Sequence, residues 1–164
     1  MFDIDYVEMF KSLPPQLAVF LIALIPIAEL RISIPVAIGV YNLPIWQAIF
    51  FSVIADIIIA TVIIYFLGAF YKFLYGKFKI TDKIFDWVFK RTRKNFTKKY
   101  ESWGNIGLML FTAIPLPITG AWTASVASWI FGIPRKRSLF YISLGVIISA
   151  GIVTLLSLGF IKIF

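Results

Sequence analysis

The chain has 164 residues, 60% of them hydrophobic, and its mean hydropathy of +0.92 lies far above that of a soluble domain. We therefore expect one membrane domain over residues 1–164, with the lipid bilayer as its solvent. The formal net charge is +8, and the absence of Cys and His excludes disulfides, thiol chemistry and imidazole-based metal sites.

Residues 1–13 form an acidic segment before the first hydrophobic stretch. A secretory leader is basic at this position, so we expect no cleaved signal peptide. Phe2, Tyr6 and Phe10 recur at four-residue steps and predict a short amphipathic helix, which the two prolines that follow would end.

The first half of the chain, residues 16–71, combines a broken hydrophobic segment with a long apolar one. Pro26 and Pro35 interrupt the broken segment, and a proline removes a hydrogen bond from a helix. Backbone groups freed in this way at membrane depth need protein or water to cover them. Residues 16–25 would span about 15 Å, half a bilayer, whereas a helix over 45–71 is long enough to cross it.

The second half, residues 104–163, repeats this order at an offset of about 90 residues. Pro115 and Pro117 interrupt its hydrophobic segment, and a long apolar helix is predicted over 138–163. Short, Pro-interrupted hydrophobic segments at corresponding positions of two halves are typical of a transporter with its binding site between them. The sequence therefore predicts a small carrier built from a repeat.

A strongly basic segment, residues 72–103, separates the two halves. Its aromatic and aliphatic residues recur at steps of three and four after Thr81, which predicts an amphipathic helix in the plane of the lipid headgroups. The Lys and Arg side chains of this helix would attract anionic lipid. Such a helix would either anchor the protein or deliver an anionic lipid to the site.

Each broken segment could cross the membrane as a kinked helix, or enter and leave on one side as a re-entrant hairpin. Only hairpins put the basic segment and the cluster Arg135, Lys136 and Arg137 on the same side. The positive-inside rule therefore favours hairpins, with the basic side in the cytoplasm and both termini outside the plasma membrane. The predicted fold class is an all-α polytopic membrane protein, an inverted repeat of a re-entrant helical hairpin plus a transmembrane helix.

Three ionisable side chains lie at the predicted membrane depth, namely Glu29, Arg31 and Asp56. Each costs roughly 2.5–3.5 kcal/mol at the centre of a membrane helix, so we expect them to pair, to face water or to have a function. Asp56 shares a helix face with Ser52 and Ala60, which points it into the bundle. In one interpretation Arg31 neutralises Glu29 or Asp56 and fixes the position of the hairpin tip. In the other, Arg31 binds phosphate while Glu29 and Asp56 couple transport to protons.

The second hairpin tip carries no charge, so its contribution to a site has to come from the backbone. Thr119 and Gly120 can begin the returning arm of this hairpin, and Ser33 can begin that of the first. Exposed N–H groups at a helix N-terminus favour an anion. These residues, together with Arg31 and Trp122, form the predicted substrate-binding site. The alternative is that they are ordinary caps and packing residues.

Two motifs carry a resemblance to a known family. They are Pro26-Ile-Ala-Glu-Leu-Arg-Ile-Ser-Ile-Pro35 and Ile114-Pro-Leu-Pro-Ile-Thr-Gly-Ala-Trp-Thr123. Their combination resembles the small multidrug export protein family, a distant relative of the DedA (VTT-domain) membrane proteins. The resemblance implies paired re-entrant hairpins and, among DedA relatives, proton-dependent recycling of lipid phosphates or lipid scrambling. Glu29 matches the acidic residue of the first DedA hairpin, whereas residues 114–123 have no equivalent of the arginines around the second.

The sequence favours the first of three functions, and the other two stay open as alternatives. The first is proton-coupled transport of an anionic lipid or polyprenyl phosphate, and the second is export of lipophilic cations with Glu29 and Asp56 as exchangeable anions. The third is a non-transporting protein that organises the membrane. We expect no enzyme activity, cofactor or metal, because no residues are spaced as a nucleophile with its base or as a metal cluster. The expected partners are membrane lipids and a second copy of the chain, not nucleic acid.

Overall fold

The computed structural model describes residue 10 and residues 12–74, 100–116 and 119–163. These residues form six helices and no strand, which confirms the all-α class for the described part of the chain. The helices are α1 (Pro15–Leu24), α2 (Glu29–Gly39), α3 (Ile45–Leu74), α4 (Tyr100–Ala113), α5 (Ala121–Ile130) and α6 (Arg135–Ile163). The predicted N-terminal amphipathic segment and basic interfacial helix lie almost wholly outside the described residues, and so does Pro117.

The order short helix, short helix, long helix occurs twice, and equivalent turns precede the two long helices. Asn42 and Gly132 both adopt left-handed backbone conformations, with φ of 50° and 68°. Two residues later, Pro44 and Pro134 each accept a hydrogen bond from the N–H four residues ahead in the following helix. Helix α3 begins where the sequence predicts, whereas α6 begins at Arg135, three residues before the predicted start.

The predicted breaks at Pro26 and Pro115 are present, because α1 ends at Leu24 and α4 ends at Ala113. The prediction that Ser33 begins the returning arm of the first hairpin is wrong. Helix α2 begins four residues earlier, after a tight turn in which the N–H of Glu29 donates to the carbonyl of Ile25. Pro35 lies inside α2. A proline there removes one intrahelical hydrogen bond and kinks the helix without ending it.

The packing is that of a protein whose solvent is lipid. Two helices are long and apolar enough to span a bilayer, with mean hydropathies of 2.5 for Ile45–Ala69 and 2.3 for Arg135–Gly159. Large apolar side chains point outward from both, such as Phe50, Phe66 and Leu155. Small and polar residues point inward instead, as expected of helices that associate inside a membrane. The buried polar residues of these two helices include Ser52, Asp56, Ser138, Ser149, Thr154 and Ser157.

The core places the first broken segment between the two long helices. Leu30 and Ile34 of α2 are buried in one cluster with Ile64 of α3 and with Ile142 and Val146 of α6. The buried face of α3 that carries Ser52, Asp56 and Ala60 is the one predicted from the sequence. As a result, the N-terminal end of α2 is held in the middle of the bundle.

Contacts at the ends of the helices fix how they are arranged. The side-chain amides of Gln16 and Gln47 are hydrogen bonded at 3.3 Å, so α1 and α3 start side by side. Ala37, near the end of α2, is buried in the same cluster as Ala48, near the start of α3. At the other end of α3, the guanidinium of Arg135 lies 5.3 Å from the centre of the Tyr65 ring. The start of α6 therefore lies beside the later part of α3.

A close approach between α4 and α6 depends on a glycine, and a methyl group there should destabilise the fold. A Cβ at Gly145 would lie 2.6 Å from the carbonyl oxygen of Met109 and 2.7 Å from the Cβ of Thr112. We expect Gly145→Ala to lower the free energy of unfolding by about 1–3 kcal/mol, the usual cost of overpacking. Thermal unfolding in detergent measures this loss of stability. Gly151→Ala on the same helix is the control, because nothing lies within 4 Å of its added Cβ. Equal effects at the two positions would contradict the close approach.

Candidate functional site

The tips of the two broken segments meet, and charged side chains of the first contact the backbone of the second. The N–H of Trp122 donates to Oε1 of Glu29 at 3.3 Å. Nη2 of Arg31 donates to the carbonyl oxygen of Thr119 and, at 3.1 Å, to its hydroxyl oxygen. The Arg31 guanidinium thus holds the loop before α5, while the Glu29 carboxyl holds the first turn of that helix.

The carboxyl group of Glu29 caps the N-terminus of α5. The N–H of Ala121 also faces this carboxyl, so two of the unsatisfied donors of the first helical turn point at one acceptor. Gly120 makes the approach possible. Its φ is 145°, and a Cβ at this position would overlap Oε2 of Glu29. Only glycine leaves room here for a carboxylate against the backbone.

The ion pair between Glu29 and Arg31 is longer than a direct hydrogen bond. Nη2 of Arg31 lies 3.6 Å from Oε2 of Glu29, and Nε of Arg31 is buried without a hydrogen-bond partner among the described residues. Glu29 itself has a φ of 44°, a left-handed conformation that is uncommon for a residue with a side chain. Strained backbone of this kind occurs at ligand sites and moving parts, so the geometry at Glu29 favours a functional role.

Asp56 lies behind this cluster and is 1% exposed. Its carboxyl group is close enough to Glu29 and Arg31 to interact with both charges, and it faces the backbone N–H of Leu30 at the start of α2. Neither carboxyl oxygen completes a hydrogen bond with any described residue. Each short helix that follows a broken tip therefore directs its N-terminus towards a carboxyl group, α2 towards Asp56 and α5 towards Glu29.

A cavity of about 780 Å³ opens beside the contact between the tips. Its wall is mainly apolar, and its polar groups come from Glu29, Arg31, Trp122 and two threonines. The lining residues are Pro26, Ile27, Glu29, Arg31, Pro115, Thr119, Trp122, Thr123, Val126, Ala127 and Ile130. The indole N–H of Trp122 is buried and has no hydrogen-bond partner in the described part of the chain. A cavity of this size and polarity fits a drug-sized amphiphilic molecule.

The structure brings most of the predicted site residues to this cavity. Glu29, Arg31, Thr119 and Trp122 line it, together with Pro26 and Pro115. Gly120 lies directly under the Glu29 carboxyl. Among the described groups, no three of the metal-ligating side chains His, Cys, Asp and Glu come together.

Three predicted positions lie elsewhere. Ser33 is fully buried, and its hydroxyl donates to that of Ser52 at 2.6 Å, so it joins α2 to α3 and does not face the cavity. Asp56 is sealed behind Glu29, and Pro35 lines a second, smaller cavity. Sequence reasoning missed one cavity wall formed by α5, namely Thr123, Val126, Ala127 and Ile130. Their spacing of three and four residues places them on one face of a helix, and this pattern could have indicated the wall from the sequence.

One family model matches this chain. It is described as "Putative small multi-drug export protein" and matches residues 29–152, most of the sequence. The chain belongs to this family. The match runs from Glu29, the first residue of α2, through the second broken tip into α6, so it contains most residues of the site and confirms the family resemblance. A relation to the DedA proteins stays a prediction. No curated protein and no solved structure matches the chain.

Proposed function

We propose that this export-family protein is an integral membrane transporter for amphiphilic cations, in which Glu29 exchanges the cation for a proton. One observation carries the proposal. The carboxyl group of Glu29 lines a mainly apolar cavity of about 780 Å³ where two broken segments meet between two spanning helices. An ionisable group at such a place in a membrane protein is costly and is normally tied to a substrate or a proton. The family description supports export.

The helix N-termini support a cation over an anion. The sequence favours an anion because exposed N–H groups at the two tips could hold phosphate. The N-terminus of α5 faces Glu29, however, and that of α2 faces Asp56. Since these donors are already directed at the protein's own carboxyl groups, they are less available to a bound phosphate.

The charges of the site support the same choice. Two carboxyl groups accompany one guanidinium, whose Nη2 is bound to Thr119. With both acids ionised the cluster has a net charge of −1, which attracts a cation. Trp122 lies in the cavity wall, and the face of an indole ring adds about 0.5–2 kcal/mol to the binding of a cation.

The proposed exchange needs only the groups present. An amphiphilic cation enters the cavity, places its apolar surface on α5 and its charge beside the Glu29 carboxylate. A proton arriving at Glu29 removes the negative charge, weakens the attraction and releases the cation. The positive charge of Arg31 offsets one of the two carboxylates and stops the cluster from binding two cations at once. Asp56, sealed behind Glu29, is the second proton site.

For the membrane topology we propose two re-entrant hairpins in inverted orientation, with the basic segment 72–103 in the cytoplasm. The outer ends of α1 and α2 both lie beside the start of α3, as a hairpin that enters and leaves on one side requires. The start of α6 lies near the end of α3, so the long helices run in opposite directions. Arg135, Lys136 and Arg137 are all exposed at that end, in keeping with the cytoplasmic side.

A second candidate is transport of an anionic lipid or polyprenyl phosphate, and one observation favours it. Arg31 borders two cavities, and its Nε is without a hydrogen-bond partner among the described residues. In this alternative the Glu29 carboxylate stands in for the phosphate at the N-terminus of α5. Protonation of Glu29 would release that position to the substrate.

Ligand-dependent thermal stability of the purified protein distinguishes the candidates. At 100 times its Kd, a specific ligand stabilises a protein by about 2.7 kcal/mol. We expect ethidium, a planar lipophilic cation, to raise the melting temperature, and Glu29→Gln to abolish the shift. Thr154→Val is the control, because its buried hydroxyl bonds within α6 and lies outside both cavities. Stabilisation by a polyprenyl phosphate but not by the polyprenol would establish the second candidate. No response to either ligand would contradict both and favour the membrane-organising role.

A further inference from the structure

A second cavity of about 360 Å³ lies on the other side of the site residues. Its lining residues are Arg31, Pro35, Gly39, Pro115, Val153, Leu156 and Ser157. Arg31 and Pro115 line the larger cavity as well. The two cavities therefore share a wall, which is formed by one residue from each broken segment.

The two cavities extend towards opposite ends of the spanning helix α6. The larger one reaches Ile130, five residues before α6 begins at Arg135. The smaller one reaches Val153 and Ser157, which lie roughly 27–33 Å from Arg135 along the axis of α6 at 1.5 Å per residue. That distance is close to the thickness of the hydrocarbon core of a bilayer, about 30 Å. The larger cavity thus extends towards the start of α6 and the smaller one towards its end, with Arg31 lining both.

The backbone of α2 at this shared wall lacks one helical hydrogen bond, which makes bending easier there. Pro35 has no N–H, so the carbonyl of Arg31 lacks the partner that residue i+4 supplies in a regular helix. The missing hydrogen bond thus falls on the residue that lines both cavities. Arg31 is held from the other side by the hydrogen bonds of Nη2 to Thr119, which fix the wall in its closed arrangement.

We infer that the two cavities are the halves of one translocation route, and that Arg31 is the gate residue between them. The inference rests on the proposed function, because a route has meaning only in a transporter. In the present arrangement Arg31 is bonded to Thr119 and the halves are separate. Release of that contact, with bending of α2 at the kink, would join the larger cavity to the smaller one. The second cavity would then receive the same amphiphilic ligand on its way to the opposite face.

The natural absence of cysteine makes a clean test possible. Ala127→Cys places a thiol in the larger cavity and Ser157→Cys places one in the smaller. Leu155→Cys is the control, because this side chain is 73% exposed on the outer face of α6, where lipid would cover it. Each variant is treated with a membrane-impermeant thiol reagent in right-side-out and in inside-out vesicles. The initial labelling rate is then compared between the two preparations.

We expect the Ala127 and Ser157 variants to react at least about tenfold faster from opposite sides of the membrane, because a thiol reacts as an accessible thiolate. Leu155→Cys should react slowly from both. Arg31→Lys keeps the positive charge but loses the planar guanidinium with its several N–H donors. For each cavity thiol, it should therefore raise the labelling rate from the side of the membrane on which labelling is otherwise slow.

Labelling of both thiols from the same side would overturn the two-cavity route. Opposite-sided labelling that Arg31→Lys leaves unchanged would overturn the role of Arg31 as the gate. Because labelling uses no transported ligand, either result is independent of the ethidium measurement. Failure of the route is therefore distinguishable from failure of the proposed substrate.

Discussion

Gly120→Ala is expected to destabilise the protein more than the same substitution at Gly107, Gly145 or Gly151. The φ of 145° is a conformation that residues with a side chain rarely adopt, and holding it costs about 1–3 kcal/mol. The new Cβ would also overlap Oε2 of Glu29 and lie 2.6 Å from its Oε1. The variant should therefore lose stability and push the carboxylate away from the N-terminus of α5. Thermal unfolding in detergent measures the loss.

The control and the partner substitution make this expectation specific. Gly107→Ala adds the same methyl group within α4, where nothing lies within 4 Å of the added Cβ, and should leave the melting temperature unchanged or raised. In Gly120→Ala combined with Glu29→Ala, the overlapping carboxylate is gone, so the methyl group should cost less than it does alone. If a double-mutant cycle finds that the stability losses of Gly120→Ala and Glu29→Ala are additive, the Glu29 carboxylate does not lie against Gly120.

Arg31→Ala is expected to have the second large effect, a loss of about 3–5 kcal/mol in the free energy of unfolding. The guanidinium is largely buried, lies 3.6 Å from Oε2 of Glu29 and is bonded to Thr119. Its removal leaves two buried carboxyl groups with no cation beside them and releases the loop before α5. Chemical or thermal unfolding in detergent gives the measurement.

Arg137→Ala is the matched control for this variant, because Arg137 is exposed near the start of α6, and a surface charge there contributes about 1 kcal/mol or less. Arg31→Ala combined with Glu29→Gln should recover part of the lost stability, since it removes one of the unpaired charges. If Arg31→Ala and Arg137→Ala have the same melting temperature, the charged contact between the two tips does not stabilise the fold.

Much of the architecture is readable from the sequence because its causes are local. Helix α1 ends just before Pro26 and α4 just before Pro115, as expected because a proline disfavours helical backbone in the residue before it and lacks the N–H that would continue the helix. The inward face of α3 follows from helical periodicity, because Ser52 and Asp56 are one turn apart. The class of solvent follows from hydropathy over the two long helices.

What the sequence could not show depends on contacts between distant segments. Pro35 was expected to interrupt the first broken segment, yet it lies inside α2, which is held between α3 and α6 by packing. Ser33 was expected to cap a helix, but burial gave its hydroxyl a partner on α3. Glu29 and Trp122 are 93 residues apart in the chain. No local pattern indicates that one caps the helix of the other, and this contact changes the favoured substrate from an anion to a cation.

Uptake of ethidium into proteoliposomes with an acidic interior tests the proposed exchange most directly. Equal potassium concentrations with valinomycin hold the membrane potential at zero, so only the proton gradient can drive accumulation. We expect wild-type protein to accumulate ethidium above the level of protein-free liposomes. Glu29→Gln should abolish that accumulation, while Thr154→Val should retain it. Two results would contradict exchange at Glu29. One is accumulation of ethidium by Glu29→Gln at the wild-type rate, and the other is wild-type uptake of ethidium that is the same with and without the proton gradient.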